Sequence, residues 1–259
     1  MKKLMVIMVA AFAAAVPLTV GGNTIDYTWR YVMVGSGDSV EIQGYYSTGN
    51  GNYYPAISPY PDGAVNIPSY IDGYPVSSIG QWAFYRCSGL TAVTIPNSVT
   101  NIGDNAFGSC SGLLSVTIPD SVKSIGGSAF DECTSLTSVR IGDGVTSIGG
   151  YAFVRCRNLN NVRIPDSMTY IPEGMFDGCY ALTSVKIPDG VTSIGYSAFS
   201  QTGLTSVTIP DGVTTIDGYA FSYCYGLTNV RIPDNVTSIG GTAFSTCSSL
   251  TNVVIGNSV

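Results

Sequence analysis

Seven cysteines stand at 87, 110, 133, 156, 179, 224 and 247, and the chain contains no histidine. Without histidine a cysteine lacks its usual catalytic base, and a zinc site lacks its commonest nitrogen ligand. The spacing contains no Cys-x-x-Cys metal signature, and an odd number of cysteines so far apart is not a disulfide framework. Thiols at one equivalent position per interval would all point the same way in a stacked structure. They read as small buried hydrophobes, with a disulfide between neighbours as the alternative. Gly37-Asp38-Ser39 has no histidine to activate its serine and no flanking pair of glycines. No nucleophile, base and electrophile can be assembled, so no enzyme, metal or cofactor is expected.

The charged residues form columns as well. One column reads Thr94, Thr117, Arg140, Arg163, Lys186, Thr208, Arg231, Val254, and it takes four of the 11 basic residues of the chain. Each member before Val254 lies between a Val and an Ile that must point inward, so it points out. Three residues on runs a second column: Asn97, Asp120, Asp143, Asp166, Asp189, Asp211, Asp234. Like charges on adjacent strands repel. Either the long basic side chains lean across and are neutralised by the aspartates, or they form a basic stripe that takes an anionic or polar ligand. Arg140, Arg163, Lys186 and Arg231 are therefore the candidate binding residues. The overall balance is 11 Lys+Arg against 17 Asp+Glu, net −6, with no block of positive charge, which excludes nucleic acid as a natural partner.

What must position these columns is a repeat. Phenylalanine recurs at 84, 107, 130, 153, 176, 199, 221 and 244, every 23 residues with one step of 22. The frame Leu90, Val93, Ile95, Pro96, Val99, Ile102, Gly103, Ala106, Phe107, Cys110 returns as Leu227, Val230, Ile232, Pro233, Val236, Ile239, Gly240, Ala243, Phe244, Cys247. Leu-x-x-Val-x-Ile predicts a short strand ended by Pro, and Pro-Asp-Gly or Pro-Asp-Ser predicts a turn. Ala-Phe-x-x-Cys has the spacing of a single helical or 3₁₀ turn. A unit this short cannot bury its own apolar stripe, so copies must stack with their strands in a parallel sheet. The expected fold is a β-rich α/β solenoid of about eight 23-residue units over residues 64–259.

The run Leu227-Thr228-Asn229-Val230-Arg231-Ile232-Pro233-Asp234, with Ile239-Gly240 and Ala243-Phe244-Ser245-Thr246-Cys247, resembles leucine-rich repeats, in particular the BspA-like bacterial surface proteins. The resemblance covers about three quarters of the chain. It departs from the commoner pattern, which carries Asn or Cys three residues after the last strand Leu. Here those positions hold Ser98, Ser121, Gly144 and Ser167, so another group must satisfy the backbone at that bend. The resemblance implies a secreted or cell-surface adhesion module that presents its inner sheet to an extracellular protein or glycan. The alternative is a structural spacer that displays a further C-terminal domain.

The ends carry their own signals. Lys2 and Lys3 precede an apolar run from Leu4 to Val16, the layout of a secretory signal peptide over residues 1–22, cleaved between 16 and 23. No cysteine follows it closely enough for a lipoprotein anchor, and no later segment is long enough to span a bilayer, so no membrane insertion is expected after cleavage. In residues 23–63, alternation through Tyr27, Trp29, Tyr31, Val40 and Ile42 predicts a hairpin around Gly35-Ser36-Gly37-Asp38 that caps the solenoid. A linker rich in Tyr and Gly follows, with Tyr45, Tyr46, Tyr53, Tyr54 and Tyr60 able to stack on sugars or peptides. The unit at 199–204 is one residue short, which predicts a local change of curvature. The array stops at Val259 in mid-repeat without a polar capping unit, which predicts a fragment that is monomeric in itself.

Overall fold

The computed structural model describes residues 12–20, 23–47 and 52–259. Residues 1–11 and 21–22 of the expected signal peptide, and 48–51 of the Tyr/Gly-rich linker, lie outside the described residues.

Each repeat contributes three sides to a β-solenoid. The first side is the ladder of Val-x-Ile strands. Gly63–Asn66, Leu90–Thr94, Ser115–Thr117, Ser138–Arg140 and Asn161–Arg163 pair in parallel, with Val65, Val93, Val116, Val139 and Val162 in register. Residues 184–186 form no strand, and the ladder resumes with Ser206–Thr208, Asn229–Ile232 and Asn252–Ile255. This interruption adjoins the short unit, where Thr202-Gly203-Leu204 stands in place of a four-residue Cys-Ser-Gly-Leu.

The second side is a ladder of short strands that end on the Ile before Gly. Tyr74–Ile79, Asn101–Ile102, Ser124–Ile125 and Ser147–Ile148 form one run, and Tyr170–Ile171, Ser193–Ile194, Thr215–Ile216 and Ser238–Ile239 form another. Pro172 explains the gap between them. Gly149 donates its N–H to Ile125 O at 2.8 Å and Gly195 to Ile171 O at 2.9 Å, but Pro172 has no N–H to give to Ile148. A Cβ on Gly149 would lie 2.5 Å from Gly127 N, so a side chain at that turn would force its neighbour to shift. Asp217 occupies the same column later on and still donates its N–H to Ile194 O at 2.9 Å, so the missing N–H is what separates Pro172.

The third side corrects the expectation of an α component: no helix occurs among the described residues. Ala-Phe-x-x-Cys is part of a chain of β-turns, with Ala83 N–H on Gly80 O, Tyr85 on Trp82 O and Cys87 on Phe84 O. Two residues per repeat lie in the left-handed region, such as Asn105 (φ 53°) and Ser109 (φ 57°), and they prevent helix propagation. Hydrogen bonds between repeats hold the turns in place: Phe107 N–H meets Ala129 O at 2.8 Å and Phe130 N–H meets Ala152 O at 2.8 Å. The fold is thus all-β, with about eight turns.

The phenylalanines fill the centre. From Phe84 to Phe244 their rings stack in one column, with centroids 4.9–5.8 Å apart and planes within 20°. Phe84 through Phe221 are fully buried.

At the N-terminal end, β1 (Phe12–Val20) runs antiparallel to β2 (Asn23–Val34), which forms the expected hairpin with β3 (Ser39–Ile42). β3 pairs in parallel with Tyr74–Ile79 and so extends the second ladder. Trp29, 1% exposed, sets its indole edge-on to Phe84 at 6.1 Å. Cleavage between 16 and 23 would cut within or just after β1 and leave that edge of β2 without it.

Candidate functional site

The first ladder presents the basic column on its outer surface, as Val-x-Ile alternation requires. Arg140, Arg163, Lys186 and Arg231 are all exposed, while Val139, Val230, Ile141 and Ile232 are buried. The arginines lean back by one repeat onto the aspartate column. Arg140 Nη2 lies 3.8 Å from Asp120, and Arg231 Nη1 lies 3.0 Å from Asp211. Arg163 reaches Asp143 through one nitrogen and Asp166 through the other, the latter at 3.0 Å. Arg163 is charged throughout, and the hydrogen bond to Asp143 raises its pKa further.

Lys186 differs. By the same diagonal its partner would be Asp166, which Arg163 already holds, and Lys186 makes no ion pair among the described residues. It lies in the interrupted stretch 184–186, beside Asp189 and Thr208, around a hollow of about 340 Å³. A larger groove of about 640 Å³ runs over the same surface nearer the N-terminus, between Thr94, Thr117, Asp120 and Arg140. The sequence brought the four basic residues to one face and left open whether the aspartates neutralise them; the structure pairs Arg140, Arg163 and Arg231 but not Lys186. The diagonal spacing of 20 residues, Arg to preceding Asp, was the signal available.

The cysteines lie inside, as thiols. All seven are free, and Cys87 through Cys224 are buried. Each of six donates its S–H to the carbonyl of the Phe one repeat back, as Cys110 does to Phe84 O at 3.0 Å and Cys156 to Phe130 O at 3.1 Å. Burial pushes the Cys87 thiol up to about 12 and raises those of Cys110, Cys133, Cys156 and Cys179. Thr202, in the short unit, bonds Phe199 O at 2.8 Å and touches Cys224 Sγ at 3.2 Å. At the Pro-Asp bend two serines take the place of the absent asparagine, Ser121 Oγ donating to Val99 O at 2.7 Å and Ser167 Oγ to Val145 O, and Asn235 bonds Asp211 O at 2.7 Å. Ser98 Oγ makes no such bond, and Gly144 has no side chain to make one. Among the described residues no cluster of His, Cys, Asp and Glu could hold a metal.

The tyrosine-rich segment packs on itself and against the first turn of the solenoid. Tyr45 stacks on Tyr54 at 4.9 Å, and Tyr53 meets Trp82 and Tyr85 edge-on at 4.7 and 5.1 Å. Arg30 places its guanidinium 4.0 Å over the Tyr45 ring, beside a cleft of about 210 Å³ that Tyr60 also lines, and nothing in its residue type alone marks it out. Its position between the inward Trp29 and Tyr31 was the available clue.

Stacked 23-residue turns, a Phe spine and a parallel ladder that displays polar side chains define a leucine-rich-repeat solenoid. The profile of the BspA type Leucine rich repeat region matches residues 65–183 and 146–259, in six copies, and the chain belongs to this family. A leucine rich cell surface protein from Faecalibacterium prausnitzii is similar in structure, with TM-score 0.67 and 30% identity over 95% of this chain and 78% of that one. The leucine rich repeat protein of T. pallidum matches with TM-score 0.64 and 27% identity, over 86% of this chain and 88% of that one. A leucine-rich repeat protein from Bacteroides ovatus gives TM-score 0.53 and 29% identity, over 87% and 69%. No curated protein matches the chain. Among the described residues no helix is long and apolar enough to cross a membrane.

Proposed function

We propose that this chain is a non-catalytic binding module, exported to the cell surface or the medium, whose first ladder captures an anionic group of an extracellular protein or glycan. Family membership supports a surface protein that binds others, and the Lys2, Lys3 and Leu4 to Val16 pattern supports export. The hairpin of β2 and β3 serves as the cap of the first turn, covering Phe84 with Trp29. The observation that carries the reading is Lys186, the one cation of its column that makes no ion pair among the described residues, in the one stretch where the first ladder is open.

The test is binding of the full chain to a panel of matrix proteins and acidic glycans at low and physiological salt. Lys186→Ala should weaken capture about fivefold at low salt, with the loss shrinking as salt rises, whereas Arg231→Ala, already paired with Asp211, should change little. Arg163→Ala should also weaken binding, because it frees Asp166 to neutralise Lys186, and Asp166→Asn in the same chain should restore it. If all of these bind as the wild type does, the face is only a neutralised surface and the solenoid is a spacer.

A further inference from the structure

On the second side, departures from the repeat frame collect in one place. The position of Ser147 and Ser193 becomes Tyr170; that of Gly127 and Gly150 becomes Glu173 and then Tyr196; that of Gly149 and Gly195 becomes Pro172 and Asp217. Together they line a groove of about 350 Å³. Tyr170, Tyr196 and neighbouring Tyr219 are 40%, 45% and 38% exposed, although tyrosine is bulky and apolar in its ring. The rings are held in place. Tyr196 lies over Gly218, where a Cβ would stand 3.5 Å from its ring, and its centroid is 5.3 Å from that of Tyr219. The Tyr151 hydroxyl donates to Glu173 Oε1 and orients that carboxylate.

Glu173 and Asp217 are exposed, and neither is ion-paired among the described residues. No Lys, Arg, Asn or Gln lines the groove, and its side-chain donors are the hydroxyls of Tyr170, Tyr196 and Ser193. A neutral sugar would share hydrogen bonds with these hydroxyls but would leave both carboxylate charges uncompensated. A planar cation with several N–H groups fits better: its face stacks on a tyrosine ring and its edge meets the carboxylates.

We propose that this groove binds an arginine side chain of a polypeptide partner, between the Tyr170 and Tyr196 rings and the Glu173 and Asp217 carboxylates. It is a second site, on another side from the first ladder and of opposite charge preference, and it does not depend on the role of Lys186.

The experiment titrates the full chain with a labelled peptide of alternating glycine and arginine, and with the same peptide carrying lysine or the neutral isostere citrulline. A neutral hexasaccharide is the fourth probe. The arginine peptide should bind most tightly, lysine more weakly, and citrulline and the hexasaccharide not measurably. Glu173→Gln with Asp217→Asn should lower arginine-peptide affinity by about tenfold or more, and Tyr196→Ala likewise, with Tyr196→Phe retaining most of it. Asp189→Asn with Asp234→Asn, two equally exposed acids on the first side, removes the same charge and should leave affinity within about twofold. Equal binding of citrulline, hexasaccharide binding abolished by the Glu173/Asp217 pair, or equal loss from the Asp189/Asp234 pair would each overturn the assignment.

Discussion

Removing one ring from the Phe spine is the sharpest test of the fold. Phe153 is fully buried and stacks on Phe130 at 5.2 Å and on Phe176 at 5.8 Å, with planes 6° and 12° apart. Phe153→Ala deletes the ring from both neighbours. Transfer of a buried Phe side chain is worth about 2–3 kcal/mol, and each ring pair adds about 0.5–1.5. The backbone ladder on either side, Phe153 N–H to Met175 O and Phe130 N–H to Ala152 O, limits collapse into the cavity. The expected loss is therefore about 3–5 kcal/mol, the upper range for a large-to-small core change. Phe244 has one stacking neighbour, Phe221, and is only half-buried, so Phe244→Ala should cost about half as much. Thr137→Ala, exposed on the first side, loses one hydroxyl bond to Leu114 O and should cost under ~1 kcal/mol. Urea melts followed by circular dichroism report all three. In a solenoid the Phe153 variant can also split the transition, because each turn is held only by its neighbours. Equal midpoints for the three variants would mean that the spine is not what holds the array together.

Two further outcomes follow from the same geometry. Cys133 and Cys156, buried with thiols raised by burial, should resist a thiol reagent in native buffer and label fully in denaturant, while half-buried Cys247 should label first; rapid native labelling of Cys133 would contradict the core column. Asp131 has a buried Oδ1 with no partner and a pKa raised by burial and then by Glu132, so the folded state holds its proton more tightly than the unfolded chain. Its contribution to stability is thus fully present below the ordinary Asp value near 4 and is lost as pH rises through the raised one. Asp131→Asn should raise Tm at pH 7 and leave it unchanged at pH 3; an equal shift at both would refute the ionisation argument.

The sequence made the inward positions readable because stacking repeats one environment many times. A Phe, Cys or Ile in register has the same neighbours in every turn, so periodicity alone located the buried set. The third side was misread for a local reason. Three-residue spacing suits a helical turn, and nothing in Trp82, Arg86, Tyr151 or Arg155 announces a left-handed backbone, at φ 56–61°. Such residues normally avoid it at a cost of about 1 kcal/mol each, and here hydrogen bonds to the next turn, such as Tyr151 N–H to Glu173 O at 2.7 Å, offset that cost. Neutralisation of the basic column by the aspartates was one of two readings the sequence allowed; which residues pair was not legible, because it depends on which way each long side chain leans.

Pro172 links the two candidate sites. By withholding the N–H that Gly149, Gly195 and Asp217 each give to the turn before, it keeps its turn from closing onto that one. The Phe spine records this: centroid spacing is 4.9–5.2 Å from Phe84 to Phe153, then 5.8 and 5.7 Å on either side of Phe176, then 5.3 and 5.2 Å beyond Phe199. The first ladder opens at 184–186, at the start of the next turn, and there Lys186 is left without its diagonal aspartate. Across the repeat lies the Tyr170 to Asp217 groove, which Pro172 itself lines. A regular array neutralises its surface by repetition, since each side chain meets the same partner one turn back. Where one turn departs from the frame, outward-facing groups on both ladders are released from those partners at once, and such groups are the ones available to a ligand.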